Sequence, residues 1–207
     1  MAESTLAVTA GSGSLLHVNT RTIAAQTNIE QYVQLAEPGN ATYSIVTAAT
    51  SIATAASHTL QIMAGSTLPV YIRRIVVYQM GLATAAAIVN WDILRLTTAG
   101  TGGTSITPSL MDTQDSASGA TAMTLPTVKG TEGVALWRAS SSLTQTVATQ
   151  AAGTENTKIL DIDFDMLMRG KPPRIAAGTS NGICLKQVTG AAAATVYVVA
   201  TISELSY

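Results

Sequence analysis

Thr195-Val196-Tyr197-Val198-Val199-Ala200-Thr201-Ile202-Ser203 is the stretch on which the fold turns. Val196, Val198, Ala200 and Ile202 are all apolar, while four of the five alternate positions carry Thr, Tyr or Ser. A period of two marks a strand with one covered face, because successive side chains leave a pleated backbone on opposite sides. Those four residues are therefore expected to face inward.

The same texture recurs upstream. Tyr43-Ser44-Ile45-Val46-Thr47 is rich in β-branched and aromatic residues, which suit a pleated, half-buried surface. The run from His58 to Ala64 alternates, with Leu60 and Ile62 on one face and Thr59 and Gln61 on the other. Gly65-Ser66-Thr67 then turns the chain into Val70-Tyr71-Ile72-Arg73-Arg74-Ile75-Val76-Val77-Tyr78, and a third run extends from Ala87 to Leu96. Weaker strands are expected at residues 133–139 and 143–149. From Thr157 to Met166, Leu160, Ile162 and Phe164 oppose Ile159, Asp161, Asp163 and Asp165, and Pro172-Pro173 stops the element. Asn181-Gly182 is a tight-turn dipeptide leading into a strand at residues 183–188. Residues 97–125, punctuated by Gly and Pro, read as one long loop, and loops of that length usually carry function or cover something. About eight or nine short strands at this spacing, without a long helix, predict an all-β, antiparallel β-sandwich, with a jelly roll as the best-fitting member of the class.

Composition narrows the function. Of 207 residues only 11% are charged, against about 25% in ordinary globular chains. The formal net charge of −1 excludes the general electrostatic attraction on which phosphate-tracking proteins rely, so no nucleic-acid partner is expected. The nearest basic cluster, Arg169, Lys171 and Arg174, is interrupted by Pro172 and Pro173 and reads as a solvated turn or a protein contact. Mean hydropathy is positive, yet no run of about 20 apolar residues exists to span a membrane. The first residues lack a secretory pattern, and Cys184 is alone, which predicts a soluble protein made in a reducing cytoplasm. Residues 1–40 form a distinct N-terminal arm: Ala10-Gly11-Ser12-Gly13-Ser14 has linker composition, and Gln26 to Leu35 carries a thin apolar stripe compatible with a short helix. The arm is expected to be extended or weakly structured until it docks. Residues 41–207 form the sandwich.

Few residues suggest chemistry. His17 and His58 lie in different segments with no cysteine beside them, short of the ligands zinc requires. Cys184 sits mid-strand and reads as a small buried hydrophobe. Asp161, Asp163 and Asp165 would share one strand face at about 7 Å per step, a repulsive row that calls for Ca²⁺, for Arg169 or Arg174, or for solvent. The spacing excludes an EF-hand, since Met166 stands at the glycine position. Gly100-Thr101-Gly102-Gly103 lacks the residues of a phosphate cradle. Glu132 and Glu155 could each pair with an Asp as glycosidase carboxylates, but there are no clustered aromatics to line a sugar site. Trp91 and Trp137 are read as core residues or subunit-interface anchors. No catalytic, cofactor-binding or metal-ligating residue is assigned, and no enzymatic activity is expected. A surface of Ala, Thr, Ser and Gly loses little side-chain entropy when buried, which favours an assembly protein.

The Ala/Thr/Ser/Gly-rich β-domain, the polar arm, the run Leu68-Pro69-Val70-Tyr71-Ile72-Arg73-Arg74-Ile75 and the proline turn followed by a hairpin at residues 168–183 resemble tailed-bacteriophage capsid decoration (cement) proteins with a jelly-roll fold. The resemblance covers residues 42–207 and is one of texture and strand layout. It implies a virion structural protein, made in the host cytoplasm and located on the capsid surface. Its partners would be the major capsid protein, whose lattice it stabilises, and itself, as a homotrimer. The alternatives are another virion component, such as a tail or fibre module or a capsid protein, and a receptor- or carbohydrate-binding sandwich. The last would be marked by an aromatic patch in residues 97–125, which contain no Phe, Tyr or Trp.

Overall fold

The computed structural model describes residues 18–23, 26–31, 41–80, 83, 85–143, 156–168, 171–190 and 194–204. In it Val196, Val198, Ala200 and Ile202 have no exposed surface. The chain divides into two units, residues 1–39 and 40–207.

The first unit contains an antiparallel hairpin of β1 (Val18–Ile23) and β2 (Gln26–Gln31), with Val18 opposite Gln31 and Ile23 opposite Gln26. The short helix suggested for residues 26–35 is therefore corrected over residues 26–31, and residues 32–35 lie outside the described residues. Thr20, Thr22, Thr27 and Ile29 are β-branched and prefer strand geometry, and pairing overrides a thin helical stripe.

The second unit is an all-β antiparallel sandwich. Its elements, in chain order, are β3 (Ala41–Val46), β4 (Thr50–Ser51), β5 (Ser57–Met63), β6 (Val70–Met80), β7 (Ile88–Leu96), β8 (Thr104–Ile106), β9 (Ser109–Leu110), β10 (Thr121–Thr124), β11 (Glu132–Ser142), β12 (Asn156–Asp163), α1 (Phe164–Leu167), β13 (Arg174–Ile175), β14 (Gly182–Gln187) and β15 (Thr195–Glu204). Sheet I runs β11-β7-β14-β5-β10-β8, and sheet II runs β12-β6-β15-β3-β9, with β13 beside β6 and β4 beside β15. The chain crosses between sheets at nearly every long strand: β3 in II, β5 in I, β6 in II, β7 and β11 in I, β12 in II, β14 in I and β15 in II.

The core lies between the sheets and is mainly aliphatic, as the low aromatic content requires. Val198 of β15 faces Val77 of β6, and Ala200 lies between Ile75 and Ile45. Sheet I contributes Leu60, Ile62, Val89, Ile93, Ile183 and Leu185. Trp91 is 1% exposed, and its indole N–H donates to Ser141 Oγ at 2.8 Å, which satisfies the polar end of a large buried ring. Trp137 is half-buried and packs against the same core. Cys184 points to the other face of sheet I, into a small apolar cluster with Met63, Leu94 and Leu96.

Two expectations need correction. Residues 97–125 are not structureless: β8 and β10 extend sheet I beyond β5, and β9 extends sheet II beyond β3. Likewise the polar face of β5 is not solvated, because His58, Thr59 and Gln61 are 1%, 0% and 2% exposed. The segments around Thr101 and Val128, bridged to each other by paired backbone hydrogen bonds, bring Gly100 and Pro126 against Gln61. No helix among the described residues is long and apolar enough to cross a membrane.

Candidate functional site

The outer face of sheet I carries one row of polar residues across four strands. Lys186 lies opposite His58 on one side and Asp92 on the other, and Asp92 lies opposite Arg138. Glu132, at the start of β11, reaches the same row.

The hydrogen bonds fix the protonation of the histidine. The backbone N–H of Gly100 donates to Gln61 Oε1 at 2.9 Å, which turns Gln61 Nε2 toward His58 Nδ1 at 2.6 Å. An amide nitrogen only donates, so Nδ1 accepts and the ring proton sits on Nε2. That N–H donates to Glu132 Oε1 at 2.8 Å, and Glu132 Oε2 accepts from Lys186 Nζ at 2.6 Å. Burial pushes His58 below the ordinary histidine pKa, outweighing the pull of the Glu132 carboxylate. Burial alone would raise Glu132, yet its bonds to Lys186 and His58 hold it below the ordinary value. The pair is thus a neutral imidazole donating to an ionised carboxylate.

This arrangement holds structure rather than exchanging protons. Both ring nitrogens of His58 are engaged, its side chain has no exposed surface, and both oxygens of Glu132 are bound. The network ties Gly100, and with it the covering segment, to β5. Gly100 is required there because a Cβ would come within 2.8 Å of Gln61 Nε2 and of Pro126 Cβ. Next to it Arg138 grips Asp92 through Nε and Nη2 at 2.7 and 2.8 Å, which lowers the Asp92 pKa.

The three aspartates are separated rather than aligned. A bulge interrupts β12 between Lys158 and Leu160, and the chain leaves the strand at Asp163 to form α1. Asp161 accepts from Arg74 at 2.8 and 2.6 Å and from Lys158 at 2.8 Å, which holds its carboxyl far below the usual range. Asp163 caps α1, accepting from the Met166 N–H at 3.0 Å. Asp165 accepts from Arg73 at 2.9 Å. Among the described residues compensation therefore comes from Arg73 and Arg74 on β6 rather than from Arg174. Consecutive strand residues normally point to opposite faces. Here Arg74 pairs with Thr201 and Ile72 with Ile202, so Arg73 is the extra residue of a bulge. Its Nε donates to Ser203 Oγ at 2.8 Å.

The remaining sequence candidates fall as follows. Cys184 is fully buried, and burial pushes its thiol up to about 12. Lys171 and Arg174 make no ion pair among the described residues. His17, Glu155 and Arg169 lie outside the described residues. Among the described residues no three His, Cys, Asp or Glu side chains form a group that could hold a metal ion. A cleft of about 360 Å³ beside β10 is lined by residues such as Gln61, Met63, Ser105 and Met123, none of its lining residues being ionisable.

Sequence reasoning missed two charged residues in inward rows. Glu204 continues the row of Val196 to Ile202, is 3% exposed, and accepts from Ser118 Oγ, Ala120 N–H and Gly119 N–H at 2.7, 2.9 and 3.2 Å. Tyr43 O–H donates to Ser116 O at 2.8 Å beside it. Arg95 likewise continues the row of Val89, Trp91 and Ile93. A charge breaking an apolar alternation is the signal that would have found both. Exposed apolar residues include Met166, Leu167 and Met168, which are consecutive at the end of β12, and Val134 on β11. Comparison with known proteins found no matching family model, no matching curated protein and no matching solved structure.

Proposed function

We propose that the chain is a virion structural protein, a decoration (cement) subunit that binds the outside of a phage head and stabilises the major capsid protein lattice. The observation that carries the reading is the strand order. The long strands of sheet II run β12-β6-β15-β3 and those of sheet I run β11-β7-β14-β5. This is the order expected of a jelly roll, eight antiparallel strands wound as two Greek keys between facing sheets, an architecture shared by many capsid proteins. Fold alone does not assign function, so the charge-poor composition and the capsid-protein texture of residues 42–207 supply the rest.

In this reading the subunit trimerises, residues 1–40 form a docking arm, and the ionic networks on the sheet faces rigidify the domain. The exposed Met166-Leu167-Met168 turn is the docking corner on the sandwich. Two measurements test the proposal. Light scattering across a concentration series should give a trimer mass, and the protein should co-sediment with undecorated phage heads. Deleting residues 1–40 should abolish co-sedimentation while leaving the β-domain folded. Converting Met166 and Leu167 to Ser should weaken co-sedimentation at unchanged thermal midpoint. A monomer at every concentration that also fails to sediment with heads would overturn the proposal.

A further inference from the structure

At one end of the sandwich a cleft of about 260 Å³ is lined by Arg95, Leu96, Arg174, Ile175, Ala176, Asn181 and Gly182. Arg95 belongs to β7 of sheet I, where it faces Ile183 of β14. Arg174 opens β13, which pairs with Tyr71 and Val70 of β6 in sheet II. The cleft therefore has one arginine from each side of the sandwich on its wall. It is smaller than the roughly 300–1,000 Å³ of clefts that enclose drug-sized ligands, and so suits a single charged group.

These arginines differ from the ion-paired ones among the described residues. Arg73, Arg74 and Arg138 each meet an aspartate, whereas Arg95 and Arg174 meet no carboxylate among the described residues. Arg95 Nη1 donates to the backbone carbonyl of Arg174 at 2.5 Å, which leaves most of its five N–H donors without a charged acceptor. A half-buried guanidinium with no anion is costly, and a bidentate oxyanion is what its planar fork fits best. Burial also draws the Arg95 pKa below the ordinary arginine value, with no carboxylate to raise it again.

We infer that this cleft is an oxyanion-binding site, in which Arg95 and Arg174 together hold a carboxylate or a phosphate. Two sources supply that chemistry: an acidic side chain of another polypeptide, and free phosphate. The inference is independent of the capsid reading, because it rests only on the two arginines and the cleft they line.

The test titrates full-length protein with inorganic phosphate and, separately, with glutarate as a side-chain mimic. Both are followed through the arginine Nε–H resonances at constant ionic strength, with chloride as the control. Saturable shifts at Arg95 and Arg174 are expected, with dissociation constants on the order of millimolar. Arg174→Gln leaves the backbone carbonyl that Arg95 uses, so the fold contact survives while the site loses one fork. It should weaken binding about tenfold or more. Arg95→Lys keeps the charge but not the fork, and should weaken binding comparably. Tighter glutarate binding identifies a polypeptide carboxylate, and tighter phosphate binding identifies the free ion. No saturable shift with either probe, or equal affinity in wild type and Arg174→Gln, overturns the inference.

Discussion

Replacing Gln61 with leucine removes one residue and strands two buried groups. The amide of Gly100 loses its acceptor at 2.9 Å, and His58 Nδ1 loses its donor at 2.6 Å. Both are buried where the covering segment meets β5, so water does not replace the lost partner. Each orphaned buried group costs about 1–3 kcal/mol, offset in part by the apolar gain of leucine, for a net loss of about 3 kcal/mol. In a domain of this size each kcal/mol moves the thermal midpoint by about 2–4 °C, so Gln61→Leu should lower it by roughly 6–12 °C. A second variant tests the direction of the bonds. In Gln61→Glu the new carboxylate still accepts from Gly100, but its other oxygen faces His58 Nδ1, which must now carry a proton. The pH dependence then reverses. In the wild type the folded His58 pKa lies below the ordinary histidine value of 6.5. Its contribution is complete above that pH and is lost as pH falls from 6.5 toward the folded value. Glu132, also depressed, adds a further loss below 4.5. In Gln61→Glu the folded His58 pKa rises, so the contribution is present below 6.5 and is lost as pH climbs through the folded value. Urea unfolding from pH 5.5 to 8.5 measures both slopes. Parallel slopes in the two proteins, or a Gln61→Leu midpoint within about 2 °C of wild type, would refute the network.

Three other outcomes follow from the geometry. Ile202→Ala should cost about 2–5 kcal/mol and Val46→Ala, at an exposed position, less than about 1 kcal/mol; equal denaturation midpoints would contradict the assigned faces of sheet II. Asp161→Asn should cost about 1 kcal/mol, since the group is partly solvated. The wild-type contribution should be complete above about pH 5 and be lost progressively as pH falls below 3.8, and its loss already near neutral pH would argue against the pairing. Cys184 should resist a thiol reagent in native buffer and react once unfolded; rapid native labelling would contradict its burial.

Where one alternation dominates, the fold was legible. Val196 to Ile202 and Leu60 with Ile62 occupy the faces their spacing requires, and the class of the fold follows from them. Bulges were not legible, because an inserted residue changes which face a side chain takes without changing composition. Arg73 and the shifted register of Lys158 and Leu160 both arise this way, and with them the partners of Asp161 and Asp165. The cover over Gln61 was hidden for a related reason. The polarity of β5 reads as exposure unless the segment that satisfies it is known, and that segment lies some 40 positions along the chain, at Gly100. The candidate site was the least legible part. Asp161, Asp163 and Asp165 drew attention as a row, whereas Arg95 and Glu204 stood out only as charges inside apolar rows.

The position of β15 has a consequence for biosynthesis. It fills the gap between β3 and β6 in the middle of sheet II, yet it is made long after both of them. As the nascent chain leaves the ribosome, both neighbours present unpaired edges, and long-range pairing of this kind is slow and exposed to aggregation. Sheet II therefore stays open at its centre until β15 is in place. A chain that stops before Thr195 keeps two unpaired edges there, which favours aggregation or proteolysis over a stable fold.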